Sequence, residues 1–450
     1  MLESVRAAGI RPAPGRRPHS EAGAARARRS GAGVPRLGGG NRRQERDERV
    51  SPGREPPWGL YVHIPFCPYK CDYCDFVAVG GGSKVARWHA AYPALVLAEA
   101  RRWVARLRPR PPVSFFYGGG TPTLLPPQAL ADLHRGLTAL LAPAPDAAVP
   151  GGSAEEVPEV PEVSVEANPG TVTVEGLSVL RAAGFNRLSL GLQAAQDDVL
   201  AALGRGHTFA DFLAAFGAAR AAGFEHVSVD LMYGLPGQGT AQFASGLRAV
   251  LALGPEHLSI YGLQLEEGTP FHARVGRGTL TLPDEDACAR QYAVARRLCA
   301  RAGFEHYEIS NFARPGRRCR HNLLYWRNAD YLGLGVGAHS HWHQARWANT
   351  PRLAAYRDAV GAADFGWVCD REPADAGRER RETAFLGLRL LWEGIDLGGF
   401  AERHGVSLDA AFPGVAADLV REGLCTRDAT ALRLKPEAVA VGNRAFAAFV

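Results

Sequence analysis

Three cysteines fall within eight positions in the segment CPYKCDYC, at Cys67, Cys71 and Cys74. Thiolate is a soft ligand suited to iron–sulfur clusters and to zinc. Three thiolates can hold three irons of a 4Fe–4S cubane and leave the fourth iron open to bind and activate a small molecule; a fourth thiolate would close the cluster. No fourth cysteine stands nearby, since Asp75 and Phe76 follow directly. Structural zinc ordinarily needs a fourth protein ligand from a second C-x2-C or a histidine pair. None occurs at suitable spacing, and His63 reads as a strand residue. Zinc and plain structural thiols stay as alternatives, the second the weaker because thiols in a loop invite oxidation. The other cysteines (Cys288, Cys299, Cys319, Cys369, Cys425) are scattered, which is not a disulfide framework.

A second group is HNLLYW, with His321, Asn322, Tyr325 and Trp326. Histidine is a common axial ligand of heme iron, and a Tyr or Trp ring can pack on a porphyrin face. Ordinary packing is the alternative for such a motif. Cys319, and His339, His341 and His343 in AHSHWH, are further candidate ligands, with His321 the first choice. A third group is FYGGGTPT, whose glycines let backbone N–H groups approach a carboxylate or ribose closely. Glu166, at a strand end, can accept hydrogen bonds from an ammonium or from ribose hydroxyls.

These groups need a scaffold. GLYVHIP, VSFFYGG, VSVEANP, RLSLGLQ, HVSVDLMYGLP and HLSIYGLQLE are short apolar runs that read as strands. Helical patterns of ten or more residues lie between most of them, including ARWHAAYPALVLAEARRWVARL, residues 128–141, 210–222 and TAQFASGLRAVLAL. The alternation predicts βαβ units with a parallel sheet, hence an α/β fold with a partial or full (β/α) barrel. In such barrels the chemistry gathers at the C-terminal ends of the strands. The Cys loop, GGGTPT, EANPG, Gln193 and the YGLP turn all follow strands there. APAPDAAVPGGSAEEVPEVPE reads as a flexible insertion. The expected domains are a disordered tail (1–56), the barrel core (57–345), a connecting segment (346–379) and a small helical, winged-helix-like domain (380–450).

The C-x3-C-x-aromatic-C string in a strand-to-helix loop resembles the radical SAM superfamily. LYVHIPFCPYKCDYCDF, FYGGGTPTLL, EANPGT, LGRGHT, DLMYGLPGQ, HYEISNFA and GLGVGAHS extend the likeness to the coproporphyrinogen dehydrogenase-like group, from about Trp58 to Ser340 and into the C-terminal segment. Within it, the complete HNxxYW string is similar to the HemW branch of heme chaperones. The dehydrogenase branch carries a further cysteine two positions after the triad, where this chain has Phe76, and a dedicated N-terminal segment. The resemblance implies a 4Fe–4S cluster on Cys67, Cys71 and Cys74. It implies S-adenosylmethionine contacts from Tyr61, Tyr73, Gly119, Gly120, Thr121, Glu166, Gln193, Arg205 and Asp230, and heme contacts from His321, Asn322, Tyr325 and Trp326. The implied role is uptake of heme and its transfer to an acceptor, such as a respiratory hemoprotein, with the cluster and S-adenosylmethionine regulating transfer. Oxygen-independent coproporphyrinogen III decarboxylation is the enzymatic alternative.

Composition sets the outer limits. A chain of 450 residues can build a large domain and a smaller one. No run of 18 apolar residues predicts a membrane span, and the Arg- and Pro-rich start is not a secretory signal. The net charge of +6 is concentrated in the Arg/Gly/Pro/Ala-rich tail, which cannot bury enough apolar surface to order itself. Without it the basic balance mostly disappears, so nucleic acid is not an expected partner. The tight thiol cluster points to a cytoplasmic setting.

Overall fold

The computed structural model describes residues 56–81, 85–142, 160–362 and 365–450. The tail (1–56) lies almost wholly outside the described residues, as does most of the insertion expected at 142–162.

Six strands follow the expected order: β1 (Gly59–Ile64), β2 (Ser114–Gly119), β3 (Glu162–Ala167), β4 (Arg187–Gln193), β5 (His226–Tyr233) and β6 (His257–Gly262). Each pairs in parallel with the next. Helices α1 (Ala91–Leu107), α2 (Pro127–Leu141), α3 (Val174–Ala182), α4 (Asp197–Ala202), α5 (Phe209–Ala221) and α6 (Thr240–Ala252) lie between them. The first helix pattern starts at Ala86, but the regular helix begins at Ala91. Pro93 lacks an N–H, which is harmless only in a first turn where donors have no partner in the helix.

The sheet goes further than these six strands. After the long helix α7 (Glu285–Arg301) come β7 (Glu305–His306), β8 (Asn311–Ala313) and the one-turn-plus helix α8 (Arg320–Trp326). Next are β9 (Tyr331–Leu334), β10 (His339–Trp342), β11 (Ala345–Asn349) and β12 (Val368–Glu372). The twelve-stranded order is β12-β11-β10-β9-β1-β2-β3-β4-β5-β6-β8-β7. Strand β9 joins β1 in parallel on the side away from β2, while β8 and β10–β12 run antiparallel to their neighbours. The end strands do not pair, so the barrel is partial. The stretch 346–379, expected as a connection, carries most of β11 and all of β12 and so extends this sheet.

Outward strand positions are the apolar ones. Val163, Val165, Leu188, Leu190, Val227, Val229, Leu258 and Ile260 are buried against the helices in the main core. A second core joins Leu323 and Trp326 of α8 to Phe385, Leu388, Phe400, Leu432 and Phe446 of the C-terminal segment. That segment folds as helices with a small three-stranded sheet (Ile395–Asp396, Cys425–Arg427, Ala431–Leu434). No helix among the described residues is long and apolar enough to cross a membrane.

Candidate functional site

The inward positions of the barrel strands are small or polar. Ser164 and Glu166 on β3, Ser189 and Gly191 on β4, Ser228 and Asp230 on β5, and Ser259 on β6 all line one cavity of about 420 Å³. Barrel interiors are ordinarily filled by layers of bulky branched side chains; a serine on each of four successive strands leaves a lumen instead. The repeated strings VSV, LSL, VSV and LSI carry this pattern in the sequence, with Ser on one face and aliphatics on the other. The serine ring was not singled out from sequence.

Cys67, Cys71 and Cys74 line the mouth of this cavity, in the loop after β1. Burial pushes the Cys67 thiol up and that of Cys74 up to about 12, so a bound cation is what would hold them as thiolates. The sulfurs do not gather within 4.8 Å of one another.

Seven of the other residues expected at the S-adenosylmethionine site line the cavity beside the cysteines: Tyr61, Tyr73, Gly119, Gly120, Glu166, Gln193 and Arg205, joined by Asp230 deeper in. Glu166 accepts the N–H of Gly119 at 3.1 Å. Arg205 donates to Cys71 Sγ at 3.5 Å, to Gly191 O at 2.7 Å and to Asn168 Oδ1, and its buried Nε has no partner. Gln193 sits at a break in strand register with φ of 71°, a left-handed conformation that an L-residue keeps only when its surroundings impose it. Asp230 takes hydrogen bonds from Ser189 Oγ at 3.0 and 3.1 Å, and burial raises its carboxyl to about 6. Gly120 admits no side chain, since a Cβ there would stand 2.6 Å from the carbonyl oxygen of Phe66. Thr121 is buried behind this wall; its hydroxyl donates to Cys67 Sγ at 3.7 Å and accepts from Asn168 Nδ2 at 2.7 Å. It is placed to hold the ligand-bearing loop. Soft donors at the rim, glycine backbone at the wall and an arginine with an unused N–H fit a cluster and a zwitterionic ligand.

The HNLLYW motif forms α8, and Asn322, Tyr325 and Trp326 line the same cavity. His321 does not. It is 1% exposed, with Nδ1 bonded to Ser114 Oγ at 2.8 Å and Nε2 to the Tyr325 hydroxyl at 2.9 Å, and its ring stacks on Phe116. Burial lowers its pKa to about 3, so the ring is neutral at pH 7. Glu162 holds the start of this helix: its carboxylate accepts the His321 N–H at 3.2 Å and Cys319 Sγ–H at 3.4 Å, and pairs with Arg187 at 2.9 Å. An anion at a helix N-terminus is favourable.

The AHSHWH histidines separate. His339 lines the cavity. His341 is buried and bonds Glu379 at 3.2 Å, and His343 is exposed beside Asp330. The group His341, Glu379 and Glu382 has metal-like spacing, yet Arg346 and Arg403 already neutralise the two glutamates. It is an ion-pair clasp between β10 and the helix Ala376–Gly387 of the C-terminal segment. His63 likewise has both ring nitrogens engaged, by Tyr61 OH at 3.1 Å and Val77 O at 2.8 Å.

Comparison with known proteins agrees with this geometry. The model of the radical SAM superfamily matches residues 61–248, and that of the HemN C-terminal domain matches residues 378–441. The heme chaperone HemW of Bacillus subtilis is 35% identical over 390 residues, covering 87% of this chain and 98% of the relative. The heme chaperone HemW of a Synechocystis species is 41% identical over 338 residues, or 74% and 78% of the two chains. Among solved structures, the coproporphyrinogen III oxidase HemN of Escherichia coli, a radical SAM enzyme, superposes with a TM-score of 0.72 over 88% of this chain and 90% of its own, at 23% identity. That likeness is one of fold.

Proposed function

This chain belongs to the HemW family within the radical SAM superfamily, and from that premise we propose that it is a heme chaperone, taking up heme and passing it to an acceptor such as a respiratory hemoprotein. One observation carries the reading: Tyr325 and Trp326 of the HNLLYW helix line the same cavity as the cysteine triad, so the edge of a macrocycle that enters there is within reach of whatever the triad holds.

Cys67, Cys71 and Cys74 would hold a 4Fe–4S cluster, and the wall of Tyr61, Tyr73, Gly119, Gly120, Glu166, Gln193, Arg205 and Asp230 would hold S-adenosylmethionine, with Thr121 behind it. When bound, these groups supply one-electron chemistry at a sulfonium centre. The protein's own residues do the rest. Arg205, whose Nε has no partner, would orient the zwitterion; the N–H groups of Gly119 and Gly120 are already donated to Glu166 and to the Ile64 carbonyl, so these glycines serve by leaving room at the wall. The apolar sheath outside the serine ring excludes water. Asn322, Tyr325 and Trp326 offer one amide and two rings to a porphyrin edge. His321 is the proposed iron ligand, and its neutral ring is the form that coordinates metal. It would serve as that ligand only if Tyr325 released its Nε2 and the ring gained access to the cavity, which it does not line, so that hydrogen bond would act as a latch on heme uptake. Eight free thiols suit a reducing, cytoplasmic setting.

The test is an anaerobic heme titration of the cluster-reconstituted full chain, followed by absorbance, for wild type, His321→Ala and Tyr325→Phe. Saturation near one heme per chain, weakened by His321→Ala and strengthened by Tyr325→Phe, supports the reading. Saturation untouched by either change keeps heme binding and moves the ligand elsewhere, with His339 and Cys319 next. Absence of saturable binding, with carbon dioxide released from coproporphyrinogen under reductant, replaces the chaperone by the decarboxylase.

A further inference from the structure

Three arginines line the cavity, and two of them are committed. Arg205 serves the cysteine loop, as described. Arg187 spends Nε on Glu162 and Nη2 on the carbonyls of Arg317 and Arg318, leaving only Nη1 unpaired. Arg389, from the C-terminal segment, is different. It is 4% exposed, its side chain donates no hydrogen bond among the described residues, and its buried Nε lacks an acceptor. Its nearest acid, Glu308, is outside ion-pairing distance and takes its own hydrogen bonds from Ser310 N and Asn311 Nδ2. What Arg389 does touch is aromatic: its guanidinium lies 4.4 Å from the ring centre of Trp326 and 5.5 Å from that of Phe446. The indole Nε1 of Trp326 is also buried without an acceptor. Burying a charge without a partner costs several kcal/mol, and an indole N–H ordinarily finds an acceptor when buried. Two neighbouring donors that lack acceptors, both on the wall of one cavity, are a site waiting for an anion.

We infer that Arg389 and Trp326 form a carboxylate-binding site on the cavity wall, distinct from the cysteine end, that takes one propionate of heme. The identity of the ligand rests on the heme reading above. Size supports an arm rather than a whole macrocycle. A cavity of about 420 Å³ is at the low end of the range for one drug-sized ligand, and on the reading above its cysteine end would be taken by the cluster and S-adenosylmethionine. Only the edge of a second, larger ligand enters. Arg389 belongs to the segment matched by the HemN C-terminal domain, so that domain contributes a residue to ligand recognition as well as packing against α8.

The test compares heme with heme dimethyl ester, whose propionates are uncharged, on the cluster-reconstituted full chain and on Arg389→Gln. A charge-assisted hydrogen bond is worth about 1.5–3 kcal/mol, or about ten- to a hundredfold in affinity. Wild type is expected to prefer heme to its ester by that factor. Arg389→Gln is expected to bind both alike, with heme weakened to the level of the ester, and Arg389→Lys to restore part of the preference. Equal affinity of wild type for heme and ester overturns the carboxylate site while leaving the heme reading intact, and needs no variant to fold. A preference that survives in Arg389→Gln overturns it too. A wild type that binds neither form removes both.

Discussion

The pair Glu162–Arg187 ties the HNLLYW helix to the barrel floor, and cutting it has a calculable cost. The two side chains are 8% and 4% exposed, with Nε and Oε2 at 2.9 Å. The other carboxylate oxygen holds the N–H of His321 and the thiol of Cys319. Glu162→Gln removes the charge and turns an N–H2 toward a set of donors, while Arg187 stays buried with its Nη1 already lacking a partner. Removing one member of such a pair ordinarily costs about 3–5 kcal/mol, whereas replacing both by apolar groups is often near neutral. Glu162→Gln and Arg187→Met singly are each expected to lose about that much, and the double variant to regain most of it. The assay is guanidinium denaturation of the four proteins, each with a heme titration. The singles are expected to bind heme more weakly as well, because the start of α8 loses its anchor. The reasoning is refuted if each single variant lies within about 1 kcal/mol of wild type, or if the two costs simply add.

Other expectations follow from the same contacts. Gly120→Ala forces a Cβ to 2.6 Å from a carbonyl oxygen, so backbone must move, and S-adenosylmethionine binding measured calorimetrically should weaken at least about tenfold, about 1.4 kcal/mol. Glu99 is fully buried and accepts from Tyr356, Asn349, Trp103 and Gly335 N; burial nevertheless raises its carboxyl to about 7. Its folded pKa lies above the unfolded one, so its stabilising share is full below about pH 4.5 and is lost as pH rises through about 7. That is worth roughly 3 kcal/mol, and Glu99→Gln should flatten this limb of a stability–pH profile. Arg403→Ala leaves Glu379 buried beside His341 alone. Because Arg403 is one-third exposed, the expected loss is about 1–3 kcal/mol, read as faster proteolysis of the C-terminal segment.

The six parallel strands were legible because each is an apolar run between turn residues, and the triad because its spacing is local. The antiparallel edges were not. Strands β7, β8 and β10–β12 have two to five residues each, too few for a period to show, and they are ordered by the sheet they join. The serine ring was written plainly as VSV and LSL, but a small polar residue inside a strand reads equally as an exposed face until register places it in the lumen. His321 could be picked as a ligand from its motif. Its Nε2 partner Tyr325 is a local i,i+4 neighbour, but its Nδ1 partner Ser114 stands 207 positions away, so the occupation of the second ring nitrogen was beyond any local pattern. Arg389, within LRLLWEG, carries no local signal that marks it as a buried residue of the cavity wall.

The central claim is tested most directly by heme transfer. The reconstituted chain, loaded with one heme and freed of excess, is mixed anaerobically with an apo-hemoprotein acceptor, and the acceptor's heme is measured after separation with and without S-adenosylmethionine. Heme moving to the acceptor, at a rate that S-adenosylmethionine changes and that replacement of Cys71 by Ala makes insensitive to it, is the expected result. Heme that stays on the chain, or leaves at the same rate whether or not acceptor is present, would contradict a chaperone.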